Sequence, residues 1–425
     1  MKQQGLNSRR MRLGMMLGCM LSLVSATCGL QAAEGLDAVP DPALSGTTVL
    51  PENGPKEQPS LYNWSSHNIE CHPYAGAGFG YDSNIYTTNT EIKRDAYFVL
   101  SPGLLLRTAP GDNKDFTLRW NSNLNGRFYT KQSSANTLQM SSVLDAALST
   151  KPWDFDLTVG GGRFEDPLNV TFDERAPRAV GEGRVTATSK FWDKTSIELG
   201  YHFTYIDYHG QNLNSLDRIQ SDLPVQIMYA YTDKLALYLK SAWDLTDFRD
   251  NLLNGYYMVD TRAGAVGSVM NGEFTYDMNV GFAVLKFKND NGLNPDTRSS
   301  FVTFHGNFMY APNEATNLIA QVYGEPRVTL AANQPCRPVY GAQLMAMRKL
   351  MDDKLQLTIS GLYERVDNLP TVSDETYLTG SLRGQYNFRN YAFGYVSGLL
   401  TSRQEDGTVL DYTESRIEGG LGITL

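Results

Sequence analysis

Residues 115–129 alternate without a break. Phe116, Leu118, Trp120, Ser122, Leu124, Gly126 and Phe128 hold one parity, and Thr117, Arg119, Asn121, Asn123, Asn125, Arg127 and Tyr129 hold the other. A period of two places these sets on opposite faces of one strand, one mostly apolar and one almost wholly polar. Such a strand exceeds the ~5–6 residues usual in soluble sheets and suits the ~9–11 tilted residues that cross a bilayer. In a soluble sandwich the polar face meets bulk water. In a transmembrane barrel it meets a wet lumen, and the apolar face meets lipid. Repetition of the pattern decides between the two.

The pattern does repeat. Strands are predicted at 74–86, 96–107, 115–129, 138–148, 153–164, 179–191, 197–208, 219–231 and 235–248, and then at 256–269, 274–287, 301–310, 318–328, 339–347, 355–365, 377–388, 391–402 and 413–425. That makes roughly eighteen, an even number, as single-chain bacterial outer-membrane barrels have. The faces are clearest mid-chain. Ile197, Leu199, Tyr201, Phe203 and Tyr205 alternate with Glu198, His202 and Thr204, and Leu235, Leu237, Leu239 and Trp243 alternate with Tyr238, Lys240 and Asp244. A two-sheet core rarely sustains this over so many long strands. The fold class expected is therefore all-β, an antiparallel transmembrane barrel of about eighteen strands.

The connections carry a second signal. Short links at 150–152, 193–196, 232–234, 270–273, 311–316 and 389–390 alternate with long polar ones at 87–95, 165–178, 209–218, 289–300, 329–338, 366–376 and 404–412. Barrels of this class have short periplasmic turns and longer extracellular loops, which sets an orientation with both termini periplasmic. Trp153, Phe191, Trp192, Tyr229, Tyr231, Phe274, Tyr276, Phe308, Tyr310, Phe388 and Tyr391 flank the short links, as an interfacial girdle would.

The ends of the chain read differently. Lys2, Arg9, Arg10 and Arg12 followed by the mostly apolar stretch 13–30 read as a secretory signal over 1–33, with Ala32 and Ala33 at the cleavage site. Residues 34–70 hold Pro40, Pro42, Pro51, Pro55 and Pro59 with little apolar periodicity and read as a periplasmic tether, leaving 71–425 for the barrel. Mean hydropathy of −0.34 and the lack of a later apolar run of ~18 residues argue against a helical bundle. A net charge of −9 argues against nucleic acid as a partner, since phosphate binding needs a basic face.

The candidate functional residues are those of the polar parity. The cations are Arg119, Arg127, Arg184, Lys190, Lys240, Arg262, Arg327, Arg383 and Arg416, with Arg218 beside them; the anions are Glu182, Glu198, Asp222, Asp244, Asp260, Asp277, Glu325, Glu364 and Glu418, with Asp145, Asp154 and Asp156. His202 and His305 share that face. Neither sign dominates, so no strong single-sign field is expected in the lumen. Two roles stay open for this set: cross-strand ladders that hold the wall, or a polar conduit for neutral or mixed-charge solutes such as saccharides.

No metal-spaced histidines, catalytic serine elbow or phosphate loop occurs, and the residues imply no cofactor, no metal and no enzyme activity. Cys71 and Cys336 survive signal removal, but the topology puts the first at the periplasmic end of strand one and the second in an extracellular loop. They are too far apart for a disulfide.

The run Gly76, Ala77, Gly78, Phe79, Gly80, Tyr81, Asp82, Ser83, Asn84, Ile85 and Tyr86 resembles the opening of an outer-membrane β-barrel porin family linked to exopolysaccharide gene clusters. Leu100, Ser101, Pro102, Gly103 and Leu104 and the third strand are similar as well. The likeness covers about the first three strands. It implies a barrel in outer-membrane lipid, inserted by the barrel assembly machinery, with exopolysaccharide export components as partners. Such barrels typically end in an aromatic residue, whereas this chain ends in Leu425. Alginate-export barrels are similar in size but have a basic lumen, so a strongly acidic polymer fits this chain less well. A barrel plugged by its own loops and a barrel hydrolase are the alternatives to an open pore.

Overall fold

The amphipathic segments exclude each other's apolar faces from the barrel interior, and the chain folds inside-out relative to a soluble protein. Phe282 and Leu421 are each 64% exposed, while Arg218 and Asp82 are 1% exposed. The computed structural model describes residues 69–87, 90–108, 115–164, 177–209, 217–249, 255–288, 298–328, 336–366, 375–389, 391–405 and 411–424. The expected signal (1–33), most of the tether (34–68), much of the longer connections and Leu425 lie outside them.

The strands are β1 (Ile69–Asp82), β2 (Asp95–Thr108), β3 (Phe116–Tyr129), β4 (Thr137–Thr150), β5 (Trp153–Phe164) and β6 (Arg178–Trp192). They continue as β7 (Thr195–Tyr208), β8 (Arg218–Thr232), β9 (Leu235–Phe248), β10 (Tyr256–Val269), β11 (Phe274–Phe287) and β12 (Arg298–Asn313). The last are β13 (Thr316–Val328), β14 (Cys336–Leu350), β15 (Leu355–Val366), β16 (Glu375–Arg389), β17 (Ala392–Glu405) and β18 (Tyr412–Thr424).

Each strand pairs antiparallel with its sequence neighbours, and β1 also pairs with β18, so the eighteen-stranded sheet closes on itself. Closure leaves no sheet edge and satisfies the backbone within the wall, which a strand surrounded by lipid requires. At this strand number the wall side chains alone do not fill the interior.

One rim carries tight turns at 151–152, 193–194, 233–234, 314–315 and 351–354. The other carries the longer connections. At the short-turn rim Trp153 packs edge-on against Phe191 (6.1 Å), and Phe274 stacks with Phe308 (6.3 Å). Trp192, Tyr231 and Phe388 are exposed there, so the expected aromatic girdle forms a belt at one level.

Two expectations need correction. The first strand starts at Ile69 and stops at Asp82, not at Tyr86. The Asp82 carboxylate accepts the Asn84 N–H at 2.9 Å, an Asx-turn that bends the chain inward, and Asn84 Nδ2 donates to the Thr413 carbonyl. Ile85 then buries against Tyr97, Val99, Tyr129 and Ala135 inside the mouth. Cys336 heads β14 and is not in a loop, because the β13–β14 pairing runs on to Val328 and Cys336. It lies at the long-loop rim, whereas Cys71, which is free, lies near the short-turn end of β1.

Candidate functional site

The inner wall is set by register. Every candidate residue, from Arg119 and Arg127 on β3 to Arg416 and Glu418 on β18, has the parity opposite to the exposed apolar column of its strand. One row of paired residues runs Glu70, Arg107, Arg119, Asp145, Thr158, Arg184, His202, Asp222, Asp244 across nine strands. Strand tilt makes this row climb from the short-turn rim at β1 towards the opposite rim at β9. Both like and opposite signs meet along it: Arg107 faces Arg119 and Asp222 faces Asp244, while polar contacts tie other members. Arg107 Nε donates to Glu70 at 2.8 Å, Thr158 donates to Asp145 at 2.9 Å, and His202 Nδ1 lies 3.4 Å from Asp222.

A second row runs Tyr412, Arg403, Tyr377, Glu364, Gly341, Tyr323, His305, Asn279, Gly264, Tyr238 around the other half. Arg327 donates to Glu364 at 2.9 Å and to Glu325 at 3.2 Å. Arg403 donates to Glu375 at 2.8 Å and covers the Tyr377 ring. Arg262 donates to Asp260 at 2.7 Å, and Thr303 donates to the other oxygen of that carboxylate at 2.9 Å. At the closing seam Arg416 bonds Glu414 and lies 3.3 Å from Asp82, while Arg127 and Arg383 cover the rings of Tyr97 and Tyr395. Arg262, Arg327, Arg403 and Arg416 are thus paired with carboxylates within the wall, which weakens their field in the interior.

A recurrent three-strand device holds the pairs in place. A tyrosine lies flat over a glycine on the adjacent strand and reaches a polar group at or near the strand beyond. Tyr97 crosses Gly80 to Glu418, Tyr323 crosses Gly341 to Glu364, and Tyr238 crosses Gly264 to Asp277 (2.5 Å) and Asn279 (2.9 Å). Tyr74 crosses Gly103 to Asn121 at 3.1 Å. A Cβ at any of these glycines would fall within 2.1–2.3 Å of the ring. The aromatic ring fills the space the glycine leaves and stiffens the wall. The period-two reading placed Tyr238 on the polar parity but did not find the glycine each ring crosses, because that pairing depends on register between strands.

Between the charged rows lies an amide and hydroxyl wall. Asn121, Asn123, Asn125, Gln139 and Ser141 share the inner face of β3 and β4, with Ser141 donating to Asn123 at 2.8 Å. On the far side Gln321 faces Gln343, and Ser360 faces Ser381 at 2.6 Å between oxygens. Lys190, Glu198 and Lys240 lie lower, in a row with Gln226 and Arg262 or one step from it.

The mouth has two apolar shelves that the sequence did not announce. Ile85 sits on one; Tyr256 and Leu285, packed by Phe248, Phe287 and Phe301, form the other. Asp95 anchors the first shelf's far side by accepting Thr130 Oγ1 (2.5 Å), Lys131 N (2.6 Å) and Gln132 N (2.9 Å). At the same rim burial raises the Asp217 carboxyl above its usual range; the Tyr208 N–H opposes this and the nearby Asp207 carboxylate adds to it. Among the described residues no three His, Cys, Asp or Glu side chains group as metal ligands would.

No protein-family model matches the chain, and no curated protein does. Among solved structures, a BenF-like porin from Pseudomonas fluorescens Pf-5 is similar at 12% identity and a TM-score of 0.47, covering 84% of this chain and 99% of its own. OccK5 (OpdH) of Pseudomonas aeruginosa is similar at 12% identity and 0.45, covering 84% and 98%. OccAB4 of Acinetobacter baumannii is similar at 10% and 0.44, covering 85% and 100%. These are resemblances of overall outline, and they carry nothing about what this barrel does.

Proposed function

We propose that the chain is an outer-membrane pore that passes neutral or mixed-charge saccharides by diffusion or serves as their export conduit. One observation carries this reading: a closed barrel with an apolar exterior whose inner face carries both signs of charge, several of them in ion pairs, beside uncharged amide and hydroxyl strips. Ions of either sign gain little on entering such a lumen, whereas a polyhydroxylated solute finds donors and acceptors along the wall. The long-loop rim is the extracellular mouth in this reading, the short-turn rim faces the periplasm, and both chain ends lie there. The lumen-facing residues from Arg119 to Glu418 act as its lining. The likeness of the first three strands to barrels of exopolysaccharide clusters supports the export form.

Liposome swelling tests the reading. Vesicles holding the folded protein should swell in neutral mono- and disaccharides at least as fast as in uronates of similar size. Swelling confined to charged solutes, or no swelling from folded and inserted protein, would overturn it.

A further inference from the structure

Six outward residues of β11 climb from the short-turn rim as Phe274, Tyr276, Met278, Val280, Phe282 and Val284, all apolar or aromatic, and the seventh is Lys286. At 3.4 Å per residue and a tilt of about 40°, Lys286 stands roughly 30 Å above Phe274, just past an apolar band of ~25 Å. Its direct partner on β12 is Arg298. Like charges facing each other across a ladder destabilise it. Among the described residues neither has an acidic partner, and both are exposed on the outer face.

The surroundings fit an amphiphile. Tyr257, exposed, is Lys286's other neighbour, and the Lys288 ammonium lies 4.8 Å from its ring centre while also pairing with Asp247. Directly below are Val284, Phe282 and Val302, all strongly exposed. Two cations without an acidic partner among the described residues, above an apolar wall, match an anionic head above acyl chains.

We propose that the outer edge of β10–β12 binds the phosphate-bearing headgroup of an outer-leaflet lipid, with Lys286 and Arg298 on the phosphate and Val284, Phe282 and Val302 against the chains. The proposal rests on the membrane-spanning reading above, not on the pore's solute. The function of the lipid is to cancel a repulsion that the described residues leave in the wall.

The test uses the full chain folded in detergent and native mass spectrometry. It is titrated with diphosphorylated lipid A, with the same lipid stripped of phosphate, and with inorganic phosphate as competitor. The expected result is a retained lipid adduct that weakens roughly tenfold or more for the stripped lipid and for the Lys286→Gln/Arg298→Gln double variant, and that inorganic phosphate does not displace. Equal retention of the stripped lipid, unchanged binding by the double variant, or displacement by inorganic phosphate would overturn it. Both proteins are first checked for equal insertion into vesicles. Failure to insert counts against the membrane reading itself, and is distinguishable from an inserted barrel that ignores lipid phosphate.

Discussion

Tyr97 of β2 donates a 3.2 Å hydrogen bond to Glu418 of β18, and the strand between them contributes only Gly80 at that level. The two outer strands of the closing seam are thus tied across β1, and Tyr395 donates to the same carboxylate at 2.7 Å. A Cβ at Gly80 would stand 2.3 Å from the Tyr97 ring. Gly80→Ala should therefore lift the ring from Glu418 and destabilise the barrel by about 1–3 kcal/mol. Gly181→Ala, whose new Cβ meets nothing within 4 Å, is the control. Denaturant unfolding from vesicles should separate them; equal midpoints would mean the seam tie is dispensable.

Selectivity follows from the pairing of charges. Glu364 holds Arg327, and Glu418 accepts from two tyrosines beside Arg383 and Arg127. Glu364→Gln with Glu418→Gln removes two negative charges beside those guanidiniums, leaving Arg327 with Glu325, and should move the channel towards anions, by roughly twofold in permeability ratio. Reversal potentials in a salt gradient read this directly. A shift towards cations would contradict the assignment of these carboxylates to the lumen.

Asp95 organises the β3–β4 connection through a hydroxyl and two backbone N–H groups. Asp95→Ala removes a charged acceptor shared by three part-buried hydrogen bonds and should cost about 1 kcal/mol. Limited proteolysis should then cut first near Lys131. Unchanged cleavage there would show that Asp95 is not the anchor.

The raised Asp217 carboxyl gives a pH dependence of definite sign. A folded-state value above the unfolded one means that the folded rim holds its proton more tightly, so stability falls as pH rises through the interval between the two. Asp217→Asn mimics the protonated acid. Hydrogen exchange around Tyr208 should match wild type in acid and be slower in the variant at neutral pH and above. A gap that narrows with rising pH would reverse the sign.

Strand count and faces were legible because lipid and water meet opposite sides of each strand, so Phe128 and Arg127 could be sorted by parity alone. The parity of the charged residues was legible for the same reason. Their partners were not, since register depends on turn length: nothing in the sequence pairs Arg327 with Glu364 two strands away. Inward apolar residues also escaped notice, as with Val99 and Leu285, which build the mouth shelves by burying against loop-side neighbours. The end of β1 was missed because Ile85 continues the apolar rhythm while the Asp82 side chain has already turned the backbone.

The most direct test is single-channel conductance of the folded protein in planar bilayers, with a salt gradient and added oligosaccharides. Stable steps with weak ion preference and sugar-dependent blocking are expected. Silence from a demonstrably folded and inserted barrel, or steep selectivity for one ion sign, would contradict a charge-compensated saccharide pore.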